Sequence, residues 1–281
     1  LAGLVVAFDQ LTFDRVTAVY GLTAEAFSLA VTSSVIRGAA EERSVDVLPA
    51  ADLPSATPAA GSIVLRGNQI VAGRSTSGGF NCQSGVRVVM SRPFDVTIVD
   101  NSINVLPVTP GTRTVCEAVR IASSRRAGQT KIDRNRIQGG TLHYGIVAIA
   151  FDGSRMQAEI TNNAISGING ASSFVEGSIS LATVFAQSEV DALVANNTMV
   201  GARSGLRVDV GADGILSGLV ANNIIAGTTN AAFTVSGAAA GFANRHNLIF
   251  ASDVGQVAYG PGTVFADPQF RAPLAGDWQL A

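Results

Sequence analysis

Charge is scarce in this chain: 14% of its 281 residues are Asp, Glu, Lys or Arg, and the formal net charge is −2. So thin a balance gives no general attraction to nucleic acid, whose recognition rests first on neutralising phosphates. Aromatic residues make up only 6%, with a single tryptophan, Trp278. No uninterrupted apolar run reaches the roughly 18 residues of a membrane-spanning helix, which argues against a transmembrane segment. The two histidines, His143 and His246, share no metal-binding spacing, and the two cysteines, Cys82 and Cys116, stand apart from them. A zinc site is therefore unsupported, and no Gly-rich segment closes with the Gly-Lys-Ser/Thr of a phosphate loop.

What the chain has in quantity is glycine, at 30 residues, and a repeated asparagine. Seven times it writes Asn, one residue, then Ile or Met: Asn68, Asn101, Asn135, Asn163, Asn197, Asn223 and Asn247, at intervals of 33, 34, 28, 34, 26 and 24. Unequal intervals around one fixed motif describe a solenoid whose coils differ in loop length but share a corner. Three residues before the first six stand Leu65, Ile98, Ile132, Ile160, Val194 and Val220; the seventh has Asn244 there. An inward residue, a bend and another inward residue predict two short strands meeting at the corner. The asparagine side chains are expected to form a structural ladder, donating to one coil and accepting from the next.

A second strand phase precedes each corner by thirteen to seventeen residues, in Val86-Arg87-Val88, Val119-Arg120-Ile121, Ile146-Val147-Ala148 and Leu206-Arg207-Val208. Gly85, Gly145 and Gly205 open three of these pieces, where a tight turn is expected. Residues 4 to 37 read as irregular opening coils, with a helix over Thr23 to Ala30 as the competing local reading. Residues 39–60, with three prolines and many alanines, read as a loop excursion. Residues 260–281 abandon the beat and read as a closing cap, so that 1–281 forms one domain. Cys82 and Cys116 each lie nineteen residues before an asparagine corner. Equal phase would stack them about 4.8 Å apart, within disulfide reach. A bridge there implies an oxidising location; two buried free thiols are the alternative.

The octads Ile160-Thr161-Asn162-Asn163-Ala164-Ile165-Ser166-Gly167, Val194-Ala195-Asn196-Asn197-Thr198-Met199-Val200-Gly201 and Val220-Ala221-Asn222-Asn223-Ile224-Ile225-Ala226-Gly227 resemble the repeat of right-handed parallel β-helix proteins of pectate-lyase-like architecture. The ending Ala266-Asp267-Pro268-Gln269-Phe270 is similar to the terminal region of secreted members. The resemblance covers more than half the chain and implies an all-β fold, a right-handed parallel β-helix with irregular first coils and a C-terminal closing segment. It also implies a secreted, cell-surface or periplasmic location. It implies no single activity, since many functions share the scaffold.

On such a fold, chemistry belongs to an outward sheet face. Arg87, Arg120 and Arg207 share a strand phase and are candidates to grip the carboxylates or sulfates of an acidic polysaccharide. On another stripe, alternation sends Lys131, Asp133 and Glu159 outward on adjacent coils. If the protein is a polysaccharide lyase, Lys131 would be the base and Arg134 or Arg136 the neutraliser of the uronate, a role that Ca²⁺ could fill instead in that case alone. Hydrolysis would need paired carboxylates, for which Asp95, Asp100 and Asp133, or the pairs Glu189/Asp191 and Asp209/Asp213, are weak candidates. Leu193, Ala195, Leu219 and Ala221 would expose an apolar patch that calls for cover by the tail or by a protein partner. The leading expectation is a noncatalytic extracellular β-helix scaffold binding a glycan or envelope component. The alternatives are a lyase or glycoside hydrolase acting on an acidic polysaccharide, and a structural subunit of an assembly.

Overall fold

The structure is a computed structural model that describes residues 4–16, 27–38, 45–47, 61–72, 84–90, 93–105, 117–124, 127–139, 143–168, 177–185, 187–237, 241–252, 259–272 and 277–280. All but two of the described strands form three parallel sheets in which each strand pairs with its counterpart one coil away. Sheet A has nine strands, from Leu4–Asp9 through Phe94–Val99, Ala127–Asp133, Arg155–Thr161, Glu189–Ala195 and Ile215–Ala221 to Phe242–Arg245. Sheet B has ten, from Thr12–Val16 to Val264–Phe265, and contains the residues just after each asparagine. Sheet C has seven, from Val45–Val47 to Ala231–Ser236. Sequential pairing in three unclosed sheets is the architecture of a right-handed parallel β-helix.

Alternation builds the core. Leu65, Ile98, Ile132, Ile160, Val194 and Val220 stack in one register on sheet A and are all 0% exposed. Sheet B contributes Ile70, Ile103, Ile137, Ile165, Met199 and Ile225 to the same interior. Asn244, which breaks the apolar rule, sits in the final sheet A strand, and its Oδ1 accepts a hydrogen bond from the Gly260 amide at 2.6 Å. The exception thus ties the last coil to the chain that follows.

At the corner, every repeat asparagine is buried. The Asn135 backbone and side-chain N–H groups donate to Asn163 Oδ1 at 2.9 and 3.0 Å, and Asn135 Nδ2 also donates to the Ile98 carbonyl at 2.8 Å. Asn68, Asn101, Asn163, Asn197 and Asn223 repeat the pattern. The ladder extends one rung further than the motif: the Ser34 amide donates to Asn68 Oδ1 at 3.0 Å, and Ser34 Oγ accepts from the Leu11 amide. The bend itself falls one residue before the asparagine. Asp100, Arg134, Asn162, Asn196, Asn222 and His246 all adopt left-handed backbone with φ of 53–59°. Asn and Asp tolerate that region better than other non-glycine residues.

Gly85, Gly145 and Gly205 sit where sheet B meets sheet C. A Cβ on Gly145 would lie 2.5 Å from the Ser178 carbonyl oxygen and 2.7 Å from Ile165 Cγ2. The need there is close approach of two walls, and none of the three has positive φ. In the register of sheet C these glycines alternate with Ala118, Ser178 and Ala232. A small side chain on one coil therefore occupies the space left by glycine on the next.

A second polar corner, between sheets C and A, has no counterpart among the sequence expectations. Ser154 Oγ donates to the Ser123 carbonyl at 2.8 Å and accepts from the Phe151 amide at 3.0 Å, while Ser188 Oγ donates to the Val184 carbonyl at 2.9 Å.

The opening pieces join the common sheets in register, with one shift between Asp14 and Val16. Phe27–Thr32 is a strand, which overturns the competing helix over its part of Thr23 to Ala30. Inside the expected excursion at 39–60, Val45–Val47 pairs with Ser84–Met90 and buries both valines. Near the C-terminus, Val264–Phe265 adds to sheet B, and Phe270–Ala272 pairs antiparallel with Asp277–Leu280. The expected Cys82–Cys116 bridge and the Trp278 side chain lie outside the described residues.

Candidate functional site

Sheet A carries an open trough of about 590 Å³ on its outer face, running across five coils from Phe94–Val99 to Ile215–Ala221. Strand alternation places two outward rows in it. One row reads Thr97, Lys131, Glu159, Leu193 and Leu219; the other reads Asp95, Gln129, Gln157 and Asp191, with Ser217 next in register outside the trough lining. The first row is the stripe expected from the sequence. The second shows there only piecemeal, through Asp95 and the Glu189/Asp191 pair, because its signal lies in registering residues from five separate strands. A smaller space of about 420 Å³, lined by Gln129, Arg155, Gln157, Glu189 and Asp191 among others, adjoins the same face.

Lys131 and Glu159 face each other on adjacent coils, with Nζ 2.8 Å from Oε1. The hydrogen bond and charge of Glu159 raise the Lys131 pKa above its ordinary value. A base must first lose its proton, so this pair works against Lys131 as a proton acceptor. Arg155 is likewise paired with Glu189 at 2.7 Å.

Asp133 departs from the expected outward cluster. It is 2% exposed, because the row two residues before the asparagines closes into the corner from Val99 to Ala221 and faces solvent only at its ends, Arg66 and Arg245. Its Oδ1 accepts from Thr161 Oγ1 and Asn162 Nδ2, both at 2.8 Å, and its Oδ2 accepts from Arg134. Burial opposes the charged form of Asp133, but the hydrogen bonds from Asn162 and Thr161 and the Arg134 charge outweigh it, so the pKa is lowered. Arg134 also grips Asp100 at 2.7 and 3.0 Å, and that hydrogen bonding lowers the Asp100 pKa. Arg134 and Asp133 therefore form a corner clamp, and the Lys131/Asp133/Glu159/Arg134 group does not converge in one groove.

The clamp has a pH consequence. A carboxylate with a lowered folded pKa contributes stability above its unfolded value and loses it as pH falls through the folded one. Stability should therefore decline below the ordinary aspartate value of 3.8. Urea unfolding of Asp133→Asn across pH 2.5–7, a range set around the aspartate reference pKa of about 3.9, should show a shallower acid limb than wild type.

Sheet C places Arg87 beside Arg120, then Val147, Ser180 and Arg207, in the order expected. The centre of this row is closed: Val147 is 5% and Ser180 4% exposed. Arg120 is paired with the buried Glu117 at 2.7 Å, and Arg207 with Asp209. Arg87 lies opposite Asp46 in register. The three arginines thus form no continuous exposed cationic face. The apolar patch is also smaller than expected, since Ala195 and Ala221 are 8% and 7% exposed while Leu193 is 40% exposed.

His143 is buried at the entry to Tyr144–Phe151, and His246 is an exposed corner residue. Among the described residues no group of three His, Cys, Asp or Glu side chains could hold a metal ion, and no helix is long and apolar enough to cross a membrane.

No family model, curated protein or solved structure matches this chain. The three-sheet repeat defines a parallel β-helix solenoid in general, without placing the chain in the pectate-lyase family.

Proposed function

We propose that the protein is a noncatalytic extracellular or cell-surface β-helix scaffold that binds a glycan along the outer face of sheet A. The observation that carries this reading is the trough itself, where a carboxylate or an amide recurs once per coil over four successive coils, at Asp95, Gln129, Gln157 and Asp191. Strands in one sheet are spaced about 4.8 Å apart, so an extended polymer lying along the helix axis meets a fresh polar group at each coil. Gln129 and Gln157 supply both donors and acceptors for hydroxyls, and Leu193 and Leu219 offer apolar surface to the C–H faces of sugar rings.

An enzymatic reading gains less support. Glu159, the trough carboxylate one coil from Asp191, is engaged by Lys131 and favours the protonated form of that lysine, while Asp95 and Asp191 stand three coils apart, roughly 14 Å at the strand spacing. Carboxylates that hydrolyse a glycosidic bond together stand about 5–9.5 Å apart.

Binding of the intact protein to a glycan array tests the proposal. The double variant Gln129→Ala/Gln157→Ala should weaken the bound glycan at least tenfold, whereas Arg87→Gln on sheet C should leave it unchanged. Loss confined to Arg87→Gln would move the site to the arginine row.

A further inference from the structure

The trough is not neutral. Its lining holds three carboxylates, Asp95, Glu159 and Asp191, against the single ammonium of Lys131. Lys131 and Glu159 satisfy each other at 2.8 Å, and the neighbouring Arg155 and Glu189 do the same at 2.7 Å. Asp95 has no ion-pair partner among the described residues, and Asp191 accepts only a hydroxyl, that of Ser217, at 3.1 Å. Two uncompensated carboxylates therefore bracket Gln129 and Gln157 in one straight row.

We infer that the trough selects an amine-bearing glycan, an extended chain of β-linked hexosamines laid along the helix axis with ammonium groups at Asp95 and Asp191. This inference rests on the reading of sheet A as a glycan-binding face and gives that face its charge class. An acidic polysaccharide, the ligand expected from the arginines, would bring like charge to both ends of the row. A basic peptide is the poorer fit. An extended polypeptide rises about 3.4 Å per residue, so four residues span the distance between the two aspartates, but its same-face side chains, two residues apart, miss the glutamines between them, whereas each β-linked hexopyranose advances by close to one strand spacing. The glutamines then meet ring hydroxyls between the two charged contacts, and Leu193, 40% exposed, lies beside the Asp191 end for a ring face.

Titration calorimetry of the intact protein with four probes tests this: a β-1,4-linked glucosamine hexamer, its fully N-acetylated counterpart, a uronate hexamer and hexalysine. The glucosamine hexamer should bind at least tenfold more tightly than each of the others, and raising the salt should erode that preference, as screening requires. Asp95→Asn/Asp191→Asn should reduce the preference over the acetylated hexamer to within twofold, and Asp213→Asn, on an exposed turn outside the trough, should preserve it. Equal or tighter binding of the uronate or acetylated hexamer would overturn the amine selectivity while leaving glycan binding intact. Equal binding of hexalysine would show mere charge attraction and overturn the glycan assignment of the two aspartates. If none of the three sugars binds, and a wide glycan array is also blank, the glycan-binding reading itself falls.

Discussion

Asn135→Ala should cost about 4 kcal/mol of stability, since each buried polar group left without a partner costs roughly 1–3 kcal/mol. The truncation removes the donor to the Ile98 and Asp133 carbonyls. It also removes the Oδ1 that accepts from the Asn101 backbone and side chain at 3.0 and 2.9 Å. Because the rungs connect successive coils, the loss sits at an interface between repeats, where solenoid stability is concentrated. Asn104→Ala is the informative control. Asn104 is an exposed residue of the sheet B strand Ser102–Val105, and its removal should change stability by less than about 0.5 kcal/mol. Urea unfolding followed by circular dichroism measures both. Equal effects for the two variants would show that the ladder has no special energetic role.

Gly145→Val should destabilise by about 3 kcal/mol, the upper end of ordinary overpacking. The new side chain has no direction in which to relax: the Ser178 carbonyl of the next coil stands 2.5 Å from its Cβ, and Ile165 Cγ2 closes the other side at 2.7 Å. Gly153→Ala separates this steric cause from backbone strain. Gly153 has φ of 74°, and a Cβ added there would meet nothing within 4 Å. Its cost is therefore the left-handed conformation alone, about 1–2 kcal/mol. Thermal unfolding of the two variants side by side should place Gly145→Val well below Gly153→Ala. The reverse order would mean that the corner can open to admit a side chain.

These two positions also show what a sequence can and cannot disclose about such a fold. The ladder is legible because its motif is local: Asn, one residue, Ile or Met, with an apolar residue three before, fixes six corners without knowledge of loop length, and the seventh, Asn247, lacks only the apolar residue. The glycines are legible as special but for a different reason, since their constraint comes from a carbonyl on the following coil, a residue some 33 positions away. Ser34 is hidden as a ladder rung because a serine amide and hydroxyl replace the asparagine there. Simple alternation sends Asp133 outward, whereas the left-handed turn at Arg134 folds the chain so that Thr161, Asn162 and Arg134 cover it. The arginine row follows the expected register, yet its partners Glu117 and Asp209 come from the arginines' own strands and occupy the guanidinium groups. The trough's polar row needs the opposite kind of information. Asp95, Gln129, Gln157 and Asp191 are ordinary surface residues one by one, and only the parallel register makes them a line.

Whether that line is where ligand sits can be measured by carbodiimide labelling of carboxylates, read residue by residue by mass spectrometry with and without a glycan that binds. Occupancy of the sheet A trough predicts that labelling of Asp95 and Asp191 falls by more than half on binding, while Asp209 on sheet C and Asp213 on its turn keep their labelling. Protection of Asp209 with Asp95 and Asp191 unchanged would contradict it and place the ligand beside Arg207 instead.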